Sequence, residues 1–173
     1  ESLNNHIPSN ATFLAERLLA EKDTEETRSL LADCYFAENK HYKVFHILKD
    51  AKSESNRYKF AVSCNKIHKY KEAERALLGS EPGRGKSFEN VANGSYGLYL
   101  LGVLCEKQTR YADAKDYYQR ALEVNPTLWS AYEKLGRLGD NINPGKVFSD
   151  IKLKSYETSV TRKLATPLSS KRK

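Results

Sequence analysis

Between Ser95 and Leu128 small residues recur among large apolar ones at the offsets that two packed helices require. With Ser95 as position 1, Leu98, Leu101 and Gly102 fall at positions 4, 7 and 8. Ala114, Tyr118 and Ala121 fall at 20, 24 and 27, and Pro126 at 32. Small residues at 8, 20 and 27 let two antiparallel helices press together, with Tyr118 filling the space beside Gly102 and Ala114. Pro126 ends the second helix, since proline lacks the N–H and clashes with the preceding turn. One such hairpin cannot bury its own apolar face, so further copies are expected.

They are found in both directions. Forward, Trp129 opens a first helix with Tyr132, Leu135 and Gly136 at positions 4, 7 and 8. Asn143-Pro144-Gly145 then interrupts, which reads as a capping half-repeat. Backward, a copy starting at Glu54 places Phe60, Ala61, Cys64, Ala73 and Leu77 at positions 7, 8, 11, 20 and 24. An earlier copy starting at Glu25 places Leu31, Ala32, Tyr35, Leu48 and Ala51 at 7, 8, 11, 24 and 27, with Val44 in place of the small residue at 20. ATFLAERLLAEK, from Ala11, reads as the second helix of a still earlier copy, with Ser9 or Asn10 as N-cap.

The spacing resembles the tetratricopeptide repeat, a unit of about 34 residues. The expected fold is therefore all-α: a superhelix of one partial repeat, three full repeats and a cap over residues 1–151, with a loop insertion at 79–95. Its repeat-signature core is Leu31, Ala32, Tyr35, Ala61, Ala73, Leu101, Gly102, Ala114, Tyr118, Ala121, Pro126, Trp129 and Gly136. Residues 152–173 lose the apolar period and read as a flexible basic tail.

Composition changes this picture little. The net charge is +7, but residues 152–173 hold seven bases and one acid, so the tail carries +6 and the body +1. The body has no bulk bias toward nucleic acid, and the tail lacks the interleaved aromatics that stack on bases. No run of about 18 apolar residues predicts a membrane span, and no secretory signal is read at the start. With no methionine anywhere, the chain reads as part of a longer one. Cys34, Cys64 and Cys105 are few, odd in number and scattered, and read as reduced core thiols. Asn10-Ala11-Thr12 and Asn93-Gly94-Ser95 match the glycosylation sequon and read as chance matches without a signal.

Candidate chemistry is sparse. Residues 79–87 end in Gly-Lys-Ser like a phosphate-binding loop, but the required glycine is Ser80 and a helix rather than a strand precedes it. His6, His41, His46 and His68 are scattered; His41 and His46 straddle the turn into a helix, a poor metal geometry. No cofactor, metal, small-molecule substrate or catalytic residue is expected, and the chain is read as not an enzyme. The first helices of such arrays line a groove through positions near 2, 5, 9 and 12, here including Phe36, Tyr58, Val62, Tyr96, Tyr99 and Val103. Two accounts of these residues compete: a docking partner, or packing under the insertion. A carboxylate clamp for acidic chain ends needs Lys and Asn at positions 5 and 9, where the Glu25 copy has Ser29 and Asp33.

The order of pieces carries a closer likeness. FLAERLLAE, LLADCYFAENKHYKVFHIL, YKFAVSCNKIHKYKEAERALL and NPTLWSAYEKLGRLGDNINPGKVF follow one another. Over roughly Leu3 to Phe148 this resembles the N-terminal domain of the family of the third subunit of the anaphase-promoting complex, a cell-cycle ubiquitin ligase. The resemblance implies a scaffold in nucleus and cytoplasm, with the other subunits of that complex and a second copy of itself as partners. Leu3, Phe13, Leu14 and Leu18 of one copy are expected to meet the groove of the other. The alternative is a tetratricopeptide adaptor for some other peptide.

Overall fold

The computed structural model describes residues 8–79, 91–140 and 142–148. Leu3, the greater part of the insertion and the tail from 152 lie outside the described residues. Within them the chain is helical, with no strand. The helices are α1 (Pro8–Glu21), α2 (Glu25–Ala37), α3 (His41–Ile47), α4 (Glu54–Lys66), α5 (Tyr70–Leu78), α6 (Gly94–Lys107), α7 (Tyr111–Val124), α8 (Trp129–Arg137) and α9 (Pro144–Val147).

Each helix from α1 to α7 packs on the next in sequence, and α2 also meets α4, and α4 meets α6. That arrangement is a solenoid in which first helices line one wall. The hairpin α2–α3, α4–α5 and α6–α7 starts agree with the copies read from Glu25, Glu54 and Ser95. Ala32, Ala61, Ala73, Ala114 and Ala121 are fully buried, as are Leu31, Leu101 and Tyr118. Their small side chains bring the helix axes together, and the large ones fill what remains.

The three hairpins share one turn. Asn39, His68 and Thr109, all at position 15, have φ of 56°, 62° and 60°. The next residue's N–H bonds back to position 11: Lys40 to Tyr35 at 2.8 Å, Lys69 to Cys64 at 2.8 Å, Arg110 to Cys105 at 2.9 Å. A left-handed residue followed by a bond reaching back five residues closes the last orphan carbonyls of a helix and reverses the chain. The half-repeat does the same with Gly139, φ 76°, and Asp140 N–H to Leu135 O at 3.0 Å.

Four readings are revised. α1 begins at Pro8, so Ser9 and Asn10 lie inside it rather than capping it; proline suits a first helical position because its missing N–H would have no partner there. Asn143-Pro144-Gly145 does not interrupt: it starts α9, with Asn143 Oδ1 accepting from Gly145 N–H at 2.9 Å. The last part of the insertion is packed, not loose. Val91 and Ala92 are buried and Ala92 N–H donates to Leu77 O at 2.9 Å, tying the start of α6 to the end of α5. Trp129 and Gly136 lie outside the core: Trp129 is 62% exposed, and a Cβ on Gly136 would meet nothing. The four-residue α9 is too short to cover α8 as α7 covers α6. Pro126 is half-buried and follows an extended Asn125.

A candidate docking groove

Tyr58 on α4 and Tyr99 on α6 both hold position 5 of their repeats, so stacking the repeats brings them side by side, with Tyr96 one turn earlier on α6. Burial pushes the Tyr58 hydroxyl pKa up, and the Tyr96 and Tyr99 hydroxyls add to the shift. Tyr99 leans on Tyr118 with ring centroids 5.6 Å apart. Tyr58, Val62, Tyr99, Val103 and Phe36 are half-buried against the core, whereas Tyr96 is 49% exposed. The structure thus gathers Tyr58, Tyr96 and Tyr99 into one aromatic patch. Toward α2 the same wall turns polar: Lys59 Nζ reaches Ser29 Oγ at 2.8 Å and Asp33 Oδ1 at 2.6 Å.

At the other end of the array α1 carries Phe13 at 55%, Leu14 at 53% and Leu18 at 41% exposure. Among the described side chains of α1, only Ala15 and Thr12 are buried, with Ala11 and Leu19 partly so. An apolar face of this kind suits contact with another surface.

Sequence reading passed over the polar staples between repeats. Glu106 at position 12 receives the Tyr118 hydroxyl at 2.9 Å and Lys134 Nζ at 2.9 Å. Burial alone would raise the Glu106 carboxyl pKa, but the bonds from Lys134 and Tyr118 outweigh it and hold it below the ordinary value. Burial and the same carboxylate push the Tyr118 hydroxyl up. The Glu25 carboxylate accepts from Lys52 N–H at 2.6 Å and Ser53 N–H at 3.0 Å. The available signal was a lysine at position 6, Lys59 and Lys134, following an acid in the first helix of the preceding repeat, Asp33 at position 9 and Glu106 at position 12.

Histidines and cysteines fall elsewhere. His41 and His46 both lie in α3, and among the described residues no group of three His, Cys, Asp or Glu side chains is placed to hold a metal. All three cysteines are buried and none is in a disulfide; burial pushes the Cys64 thiol pKa up to about 12. No described helix is long and apolar enough to cross a membrane.

Residues 4–80 match the family model of anaphase-promoting complex, cyclosome, subunit 3, and residues 95–128 match the tetratricopeptide repeat. The chain is 35% identical over 168 residues to cell division cycle protein 27 homolog B of Arabidopsis thaliana, covering 96% of this chain and 22% of that one. It is 32% identical over 173 residues to the Homo sapiens cell division cycle protein 27 homolog, covering 96% and 21%. The chain belongs to the anaphase-promoting complex subunit 3 family. It spans about a fifth of the length of these relatives. A crystal structure of MamA superposes with a TM-score of 0.67 at 16% identity, covering 94% of this chain and 92% of that one; this is a likeness of fold. The tetratricopeptide match at 95–128 is the same window that the small-residue spacing singles out.

Proposed function

We propose that this chain is a non-catalytic scaffold and homodimerisation domain of a subunit of the anaphase-promoting complex, acting in nucleus and cytoplasm beside the other subunits. The observation that supports the reading is the presence of two apolar or aromatic surfaces that could meet. One is the apolar face of α1, Phe13, Leu14 and Leu18. The other is the tyrosine patch of the groove, Tyr58, Tyr96 and Tyr99. In a two-fold dimer each copy supplies both, so the same contact is made twice and both surfaces of both copies are covered. Family membership supports the complex as the setting, and the aromatic content suits an interface.

Sedimentation equilibrium tests it. A dimer mass at micromolar concentration is expected. A clean monomer mass would leave the groove to a peptide of another protein, the adaptor reading.

A further inference from the structure

On the flank of α4 turned away from Tyr58 and Val62, a cleft of about 710 Å³ opens between α3, α4 and α5. It exists because α3 is short. α3 has 7 residues where α7, its counterpart in the Ser95 repeat, has 14. Phe45 and Phe60 floor the cleft, their rings stacked with centroids 5.2 Å apart. Lys49, Arg57 and Arg75 line it, against a single carboxylate, Glu72.

Several cations of the body already face an acid. Arg28, Lys59, Arg110 and Lys134 are each paired with a carboxylate. Lys49, Arg57 and Arg75 have no side-chain partner among the described residues, and the Arg57 Nε is buried without an acceptor. The Arg57 guanidinium also lies so close to Gly79 that a Cβ there would strike it. A guanidinium held this way is ready for a carboxylate, which it binds with two parallel hydrogen bonds.

We propose that this cleft is a second docking site, separate from the tyrosine groove, for an extended acidic peptide. Its carboxylates pair with Lys49, Arg57 and Arg75 while an apolar side chain rests on Phe45 and Phe60. The cleft's volume suits a few residues of such a peptide, and acidic motifs are read by arginine clusters in this manner. The chain's own segments lack the charge: the tail from 152 is strongly basic, and residues 80–90 hold two acids and two bases. A nucleic-acid strand needs a run of cations, whereas the body around the cleft is close to neutral.

The test is fluorescence anisotropy of the whole chain with a fluorescein-labelled peptide, EDLFEEDLE, its lysine-for-acid counterpart, and labelled oligothymidylate. The acidic peptide is expected to bind saturably, on the order of micromolar, and the other two not. Lys49→Glu with Arg75→Glu, both at exposed positions, should weaken it about ten-fold or more. Tyr96→Glu should leave it unchanged, which separates this site from the groove. Should the double variant lose helicity, Arg75→Gln takes its place. No saturable binding, equal binding by the charge variant, tighter binding of oligothymidylate, or loss of binding in Tyr96→Glu would each overturn the proposal. A changed oligomer mass in the charge variant without peptide binding would assign the cleft to a second copy instead, and overturn it too.

Discussion

Gly102 lies flat against the ring of Tyr118: a Cβ built on the glycine would sit 2.5 Å from Cε1 and 2.7 Å from Cδ1 of that ring. The Tyr118 side chain is fully buried and its hydroxyl is tied to Glu106 at 2.9 Å, so the ring has nowhere to retreat. Gly102→Ala should therefore destabilise the fold by about 1–3 kcal/mol. Gly136→Ala is the matched control, at the same repeat position but with open space around it. There alanine should stabilise by about 0.5–1 kcal/mol through helix propensity. Thermal melting followed by circular dichroism reads both, and similar shifts in the two variants would show that packing at Gly102 is not limiting.

Thr109 holds a left-handed conformation, φ 60°, that costs a β-branched residue most. It is exposed, and its hydroxyl only donates to the neighbouring Gln108 carbonyl at 2.7 Å. Thr109→Gly should stabilise by about 0.5–1 kcal/mol, the relief of strain being partly offset by the glycine's unfolded entropy. Denaturant titration measures it; a lower midpoint would mean that the hydroxyl contributes more than the strain costs.

Glu106 sets an acid limit on stability. Its folded pKa is depressed below 4.5 despite burial, because Lys134 and Tyr118 bond the carboxylate. A depressed carboxyl contributes stability that is present above the unfolded pKa and lost as pH falls through the folded one. The melting temperature should therefore fall as pH drops below about 4.5. Glu106→Gln should be less stable at neutral pH and show a shallower fall. Parallel curves for the two proteins would locate the acid sensitivity in other carboxylates.

Tyr96 is the better probe of the groove than Tyr99. Tyr99 packs on Tyr118, so a charge there disturbs the core as well as the surface. Tyr96 is half exposed and costs the fold little. If the groove takes the α1 face of a second copy, Tyr96→Glu should move the chain toward monomer in sedimentation equilibrium while leaving the helical spectrum intact, because a charge buried without a partner is costly. An unchanged mass distribution would remove the groove from the dimer.

Trp129 is the single tryptophan, and it is exposed while touching Tyr132 and Phe148 at centroid distances of 5.3 and 6.2 Å. Its fluorescence should be open to quenching by acrylamide in the native protein. Phe148→Ala should open it further without changing the melting temperature much. Strong protection in the native protein would mean that this face is covered in solution.

The sequence by itself determined the repeat register, and with it the fold class, because the constraint is local and periodic. Two helices approach only where positions 8, 20 and 27 are small, and Gly102, Ala114 and Ala121 declare that without any tertiary information. The same period placed Tyr58 and Tyr99 on the groove; the stacking of equal positions in adjacent repeats then set them side by side. What failed lay where periodicity stops. Trp129 and Gly136 match the pattern yet are uncovered, because burial depends on the next element, and α9 is only four residues long. Val91 and Ala92 have loop composition yet are buried, since a backbone bond to Leu77 and contact with α6 hold them. Only the tertiary structure decided the polar pairs, Glu106 with Lys134 and Tyr118, and the gathering of Lys49, Arg57 and Arg75 around one cleft. Charged side chains satisfy each other across repeats at distances set by how the helices stack, and a pattern written along one chain carries no measure of that spacing.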